Sequence, residues 1–302
     1  GVIAYAWVSL ATINNIDGIG LTASAGDDLQ ISVDGEIFYN SLPTSEIRDI
    51  FENISLYDAT TLNNIYFRTG GLRGDDEAIR NFHYVSFDLW FRSTRPERAI
   101  YLYNNVNDLV DYYNYDVLGT FVVSRGVYWM SNETFFNGPL TEDTVHIGSI
   151  NQYYASDALR IGVKELIDDK NPLDQRGEED LQNLIYDPSE NNARGYGVSF
   201  GMLSYFNKRS GMYLFPPTTF PDTRYRLSLM DPQNPYQALD NDSHIATLQE
   251  TEFISEEERT YYQAKVRINI WVEGWDADAF DAIGDDQIRI QLQFKLANPA
   301  NE

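Results

Sequence analysis

Alternation of apolar and polar side chains is the feature that most constrains how this chain folds. In the last alternating segment, Ile288, Ile290 and Leu292 each follow a polar residue. Because successive side chains of a β-strand point to opposite faces, this period predicts half-buried antiparallel strands, apolar inward and polar outward. Four segments carry the pattern: 83–92, 158–165, 265–273 and 287–295.

Other local signals are shorter, and they complete an all-β prediction. No β-α-β repeat is present, which argues against a doubly wound nucleotide-binding fold. Further strands are predicted near 19–24, 29–33, 99–103, 120–124 and 211–215. Short helices are predicted at 45–54, 178–186, 255–263 and 276–283, the third from a capping box of Ser255 and Glu258.

Turn-forming dipeptides divide the chain into a framework and an insertion. Residues 166–260 hold acidic loops and little alternation, so they are predicted as long loop and short-helix insertions. The sandwich framework is assigned to 16–165 and 261–302, and residues 1–15 to a separate N-terminal strand. The insertion contains Asp187-Pro188, Pro216-Pro217, Asp231-Pro232 and Asn234-Pro235.

Composition excludes several function classes. The 302 residues include 46 acidic and 22 basic side chains, a net charge of -24, and no basic stripe is present, so neither nucleic acid nor an anionic membrane is an expected partner. No apolar run is long enough to span a bilayer. The absence of cysteine excludes disulfides, thiolate metal sites and cysteine nucleophiles.

One motif and three dispersed histidines are the candidates for enzyme chemistry. Gly197-Val-Ser-Phe-Gly201 matches a nucleophile elbow, with Ser199 as nucleophile, His244 as base and Asp222 or Asp231 as orienting group. No apolar strand precedes the motif and little helix is expected after it, which favours a glycine-rich turn. We therefore predict no catalytic residue and no enzyme activity.

Acidic and aromatic clusters suggest ligands of other kinds. Asp276, Asp278 and Asp281 would converge around a short turn, and hard cations such as Ca²⁺ take several oxygen ligands. They are a candidate calcium site, although no cofactor is required and solvated acidic loops are the alternative. Tyrosine pairs such as Tyr153-Tyr154 and Tyr261-Tyr262 would stack on sugars or fill cores and subunit contacts.

The two chain ends resemble a known family. Ala6-Trp7-Val8, followed by 14–18 and 29–32, resembles the start of secreted bacterial TasA-camelysin type proteins. Near the other end, Trp271-Val-Glu-Gly-Trp-Asp276 and the alternating segment after it are similar to that family's closing strand pair. The resemblance covers about a quarter of the chain. It implies a jelly-roll β-sandwich that is exported and assembles into extracellular fibres, each N-terminal strand completing the next subunit's sheet.

The first thirteen residues suit such a donor strand, because none is charged and both faces are apolar. A strand of this kind has to be covered on both sides. It is predicted to bind a neighbouring copy; a strand buried within its own sandwich and the remnant of a signal peptide are the alternatives. A secreted glycan-binding or adhesive surface protein, or a viral jelly-roll structural protein, is the alternative function. The predicted polymer-interface residues are Val2, Ile3, Tyr5, Trp7, Val8, Leu10 and Ile13.

Overall fold

In the computed structural model, two packed β-sheets form the framework of the described chain. The described residues are 11–13, 19–23, 28–43, 45–46, 55–69, 76–104, 110–113 and 119–301. The only α-helix longer than one turn among them, α1, spans Met202–Ser210. The strands are β1 Ala11–Ile13, β2 Ile19–Ala23, β3 Gln30–Ser32, β4 Ser55–Leu56, β5 Asp58–Thr60, β6 Arg68–Thr69, β7 Val85–Ser93, β8 Ala99–Leu102, β9 Phe121–Ser124, β10 Val127–Met130, β11 Phe135–Phe136, β12 Thr144–Val145, β13 Ile150–Tyr153, β14 Leu159–Leu166, β15 Asn183–Tyr186, β16 Thr223–Arg224, β17 Met230–Asp231, β18 Asn234–Ala238, β19 His244–Thr247, β20 Gln249–Ile254, β21 Thr260–Glu273 and β22 Asp286–Ala297.

The first sheet is organised around β22. On one edge, β8 and β9 pair with β22 in antiparallel orientation. On the other edge, β1 and β2 pair with it in parallel orientation. The outer members are β19 next to β8 and β4 next to β1. Residues 11–13 and 19–23 therefore lie along one edge of β22.

The second sheet is organised around β21, the longest strand. It pairs in antiparallel orientation with β7 on one edge and β14 on the other. β20 joins β21 near its start, and β5 pairs in parallel with its end. β3 extends the sheet beyond β7, and β15 and β16 extend it beyond β14. Strands from 166–260 therefore enter both sheets: β19 the first, and β15, β16 and β20 the second.

The core lies between the two sheets and confirms the predicted strand phase. Ile268 and Ile270 of β21, together with Ile290 and Leu292 of β22, are completely buried in one continuous apolar cluster. The rings of Phe91 and Phe294 meet edge to face, with their centroids 4.7 Å apart. The all-β sandwich is therefore confirmed, and its strand pairs are mostly antiparallel.

Only some of the outward polar side chains of the long strands reach water: Asp88, Arg267 and Gln291 are partly exposed, and others are not. Arg160, Lys164, Gln293 and Lys295 are all buried. Loops and short strands cover the outer faces of both sheets, and a covered polar side chain needs a partner inside the protein. Alternation therefore located the strands correctly but did not reveal that both faces are enclosed.

Several predicted local elements are wrong or only partly described. Residues 178–186 form a 3-10 turn and then β15. Residues 255–263 form the turn of the β20–β21 hairpin and the start of β21, because the Ser255 hydroxyl accepts the Arg259 amide within that turn. No strand forms at 211–215. The predicted helix at 276–283 is a single 3-10 turn, Asp281–Ile283, and only residues 45–46 of the helix predicted at 45–54 are described.

Within the part of the chain that the structure describes, no helix has the length and apolar character needed to cross a bilayer.

Candidate functional site

The described part of the predicted donor segment is β1, which pairs with its own chain. Ala11 lies opposite Asp286 and Ile13 opposite Ile288 in the parallel ladder with β22. On its other edge, β1 pairs with β4. The remaining predicted interface residues, Val2, Ile3, Tyr5, Trp7, Val8 and Leu10, lie outside the described residues.

The register at Ala11 shows where the first sheet ends. Because β1 and β22 are parallel, partners for the residues before Ala11 would have to precede Asp286, where β22 begins. On the other edge of β1, the chain leaves β4 after Leu56 and enters the second sheet, where Asp58 pairs with Val272. Among the described strands, β22 therefore begins level with Ala11, and the chain leaves β4 at the same level.

Asp286, the first residue of β22, also anchors the β10–β13 pair. Its Oδ1 accepts a hydrogen bond from the Gly126 amide and its Oδ2 one from the Ala155 amide, both at 2.8 Å. Gly126 directly precedes β10, and Ala155 follows two residues after β13. The completely buried carboxylate therefore holds one end of the β10–β13 pair, where β10 begins and β13 ends, at the first residue of β22.

The β10–β13 pair is a two-stranded ribbon with two different faces. Its inner face carries Trp129, whose ring meets those of Tyr153 and Phe280 edge to face, at 5.8 and 5.9 Å between centroids. Its outer face carries Tyr128, Met130 and Ile150. These three side chains are exposed to 73%, 60% and 64% of their surface. Met130 and Ile150 lie directly opposite each other in the ladder.

A cluster of buried charges lies at the far end of β21. Arg160 is 1% exposed; its Nη2 lies 2.7 Å from Asp276 Oδ2 and its Nη1 lies 3.3 Å from Asp187 Oδ2. Glu273 is buried beside them. Burial raises the pKa of Glu273 to about 7, and it also raises the pKa values of Asp187 and Asp276 although Arg160 opposes this. Burial alone would lower the pKa of Arg160, but the surrounding carboxylates outweigh it and raise that pKa.

The Trp271-Val-Glu-Gly-Trp-Asp276 motif builds this cluster. Trp271 Nε1 donates to Glu273 Oε2 at 3.0 Å, and the Trp275 amide donates to Oε1 of the same side chain at 3.1 Å. Asp276 Oδ1 accepts the Asp278 amide at 2.9 Å. The motif therefore forms the turn that ends β21 and supplies acceptors for buried donors, which is a structural role.

The three aspartates predicted to bind calcium face different partners. Asp276 pairs with Arg160, and Asp278 pairs with Arg194 at 2.8 Å. The Tyr205 hydroxyl lies 2.9 Å from Asp281 Oδ2. The described residues contain no group of three or more side chains arranged to hold a metal ion. The calcium site stays a prediction. Arg160 and Arg194 already pair with two of the three carboxylates, so a bound cation would have to compete with them for these oxygens.

The residues of the nucleophile-elbow motif do not meet. Ser199 is exposed in the turn before α1, whereas His244 begins β19 and its Nε2 lies 2.9 Å from the Ala246 carbonyl oxygen. The expectation of little helix after the motif is wrong, because α1 follows Gly201 directly. Gly201 has a φ of +67° and packs so closely on Ala277 that a Cβ would clash with its carbonyl oxygen. The glycine is thus needed for packing.

A polar cleft beside the ribbon is the candidate place for a sugar. It has a volume of about 520 Å³, and Tyr153, Tyr154, Asp157 and Arg194 are among the residues that line it. Burial raises the pKa of Asp157 to about 7, with help from the nearby Asp278 carboxylate. Tyr153 is buried and belongs to the core, so Tyr154 is the more accessible ring. Glycan binding stays a prediction.

The residues that define this site were missed in the sequence. Asp286 has no local signal beyond its acidic neighbour Asp285. The apolar run Val127–Met130 shows no alternation from which a ribbon with an exposed face could be predicted. A buried partner for Arg160 had no local signal, since Asp276 lies 116 residues away. No protein-family model, curated protein or solved structure matches the chain.

Proposed function

We propose that this chain is a secreted structural subunit of an extracellular homopolymeric filament or tube, and that its N-terminal segment joins one subunit to the next. The single observation that carries the proposal is the register of β1. Ala11 lies opposite the first residue of β22, so ten uncharged residues precede the point where the sheet ends. An uncharged apolar segment of this kind is suited to adding as a strand to the sheet of another molecule.

The energy of such a contact requires more than the strand itself. About five large apolar side chains, at roughly 1.5–3 kcal/mol each, give on the order of 10 kcal/mol before any cost is counted. Association costs about 4–15 kcal/mol in lost motional freedom and ordering. The two terms nearly cancel, so a stable polymer also needs ladder hydrogen bonds or a second apolar surface.

The net charge sets the solution conditions for assembly. With a charge of -24, neighbouring copies repel each other across water. Salt screens this repulsion, since the Debye length is about 8 Å near physiological ionic strength and shorter above it. Polymerisation is therefore expected to increase with added salt or divalent cations, and indifference to both salt and a chelator would contradict this part of the proposal.

Electron microscopy of the purified chain tests the proposal directly. The full chain is expected to form filaments or tubes in negative stain. A variant lacking residues 1–10 keeps β1 and is expected to remain a folded monomer by circular dichroism and sedimentation. A matched control replaces the same ten residues with a Gly/Ser sequence of equal length. Filaments formed by either variant would refute the proposal, and discrete particles that bind glycans would favour the adhesive alternative.

A further inference from the structure

We propose that the outer face of the β10–β13 ribbon is the surface that receives the N-terminal segment of a second copy of the chain. The inference rests on the proposed function and names the receiving site. Tyr128, Met130 and Ile150 form this face, and all three are more than half exposed. Exposed apolar side chains gathered on one face are typical of an interaction site.

In the described fold the outer face of the ribbon is exposed, and the ribbon is attached through its inner face and its base. Trp129 on the inner face also packs against the ring of Tyr205, with 5.7 Å between centroids, and Asp286 holds the end at which β10 begins and β13 ends. The outer side chains are thus not needed to attach the ribbon to the body. Among the described strands, β10 and β13 pair only with each other, so both ribbon edges also offer free backbone groups for a further strand.

The base of the ribbon lies beside β1, the described strand that follows residues 1–10 in the chain. Asp286 binds the amides of Gly126 and Ala155 through its side chain, and its backbone position lies opposite Ala11. Ala11, which follows the uncharged segment directly, and the base of the ribbon are therefore both placed at Asp286. Copies that exchange segments at this point would bring these two surfaces together.

Charge also favours this face for contact between copies. β10 and β13 contain no charged side chain, in a chain whose net charge is -24, and residues 1–13 contain none either. Contact between two uncharged surfaces avoids both like-charge repulsion and the desolvation of ions. Most of the remaining surface of two such acidic copies would repel.

The lengths of the N-terminal segment and of the ribbon face favour binding of the segment to a second copy over binding to the ribbon of its own chain. Ten extended residues reach about 33 Å, whereas a strand of four residues covers about 13 Å. The segment is apolar on both faces, and one ribbon covers one face of the part that lies on it. The remaining length and the other face require a further body, which in a homopolymer is the adjacent subunit.

Cysteine cross-linking tests the contact, because the chain has no native cysteine. Ile3→Cys, Tyr5→Cys and Trp7→Cys are each mixed under oxidising conditions with a differently tagged Met130→Cys chain. A disulfide between the two tags is expected with at least one of the three. The matched control carries Lys208→Cys, exposed on α1, and is expected to give at least tenfold less product.

Two results would overturn the inference. One is no cross-link to Met130→Cys above the Lys208→Cys control. The other is a double variant, Tyr5→Cys with Met130→Cys, that forms only an intramolecular disulfide in dilute solution, which would place the segment on its own ribbon.

A surface variant separates this inference from the proposed function. Tyr128→Ser combined with Met130→Ser is expected to remain folded, with an unchanged circular dichroism spectrum, and to lose filaments. The control Phe253→Ser, an exposed apolar residue of the β20–β21 hairpin, is expected to polymerise as the parent chain does. Filaments from the ribbon variant would refute the receiving site and leave the subunit function standing, whereas a parent chain that never polymerises would refute both.

Discussion

The Arg160 cluster and the β10–β13 ribbon place side chains in opposite ways. In the first, one arginine and three carboxylates are buried at the end of β21. In the second, Tyr128, Met130 and Ile150 face water. Each buried charge has its partners inside the chain, because an unpaired one would be strongly destabilising. The exposed apolar side chains have no comparable partner in the described fold.

The difference separates a region whose contacts stabilise the fold from one whose exposed face is free for the proposed contact with a second copy. A buried ion pair contributes little net stability against an apolar replacement, but removal of one partner is strongly destabilising. An exposed methionine can be replaced with little effect on the free energy of unfolding. Mutations in the cluster should therefore affect folding, and mutations on the ribbon should affect association.

The largest effect is expected for Arg160→Met. The substitution leaves Asp187 and Asp276 buried without their cation, and should lower the free energy of unfolding by about 3–5 kcal/mol in urea titrations. The control is Arg226→Ala, an exposed arginine that also pairs with two carboxylates, with an expected change of about 0.5 kcal/mol or less. Equal losses in the free energy of unfolding would show that the buried ion pairs of Arg160 matter no more for folding than the exposed ion pairs of Arg226.

The next effect is a pH dependence carried by Glu273. Burial raises its folded pKa to about 7, above an unfolded value of about 4.3, so the folded state holds the proton more tightly. The contribution to stability is full below the unfolded pKa and is lost as pH rises towards 7. The free energy of unfolding of the parent chain, minus that of Glu273→Gln, should therefore fall by about 2 kcal/mol from pH 5 to 7. A difference independent of pH would refute this.

A smaller loss of stability is expected at Asp286, where the base of the β10–β13 ribbon is joined to β22 of the first sheet. Asp286→Asn leaves only one oxygen for the amides of Gly126 and Ala155, and should cost about 1–3 kcal/mol. Hydrogen exchange should be faster at those two amides. The neighbouring Asp285→Asn is the control, since Asp285 is exposed and asparagine tolerates its φ of +65°. Unchanged exchange in Asp286→Asn would show that the carboxylate does not hold the ribbon.

The smallest effect on stability is expected on the ribbon itself. Met130→Ser should change the free energy of unfolding by about 0.5 kcal/mol or less, because the side chain is mostly in water. Met202→Ser is the matched buried change in α1 and should cost about 2–5 kcal/mol. Comparable losses from the two methionine variants would place the ribbon face in the core of the fold.

Local sequence rules predicted the central strands of this architecture but not what covers their outer faces. The alternation of 287–295 and 265–273 gave the central strand of each sheet and the correct inward phase. The same rule assigned Arg160 and Lys295 to water, because alternation reports one apolar face and carries no information on what covers the other. The capping box at Ser255 matched a helix start, yet pairing of Gln249 with Gln263 formed a hairpin instead, an example of tertiary pairing overriding a local signal.

The candidate site depended on contacts that no local pattern contains. The sequence by itself determined an acidic, cysteine-free, all-β chain with an uncharged apolar start, since these follow from residue type and period two. Only the tertiary structure placed Asp286 against Gly126, 160 residues earlier, and opposite Ala11. Pairing between distant strands is selected by the packing of the whole sandwich, so the position of β1 beside the ribbon base became visible only in three dimensions.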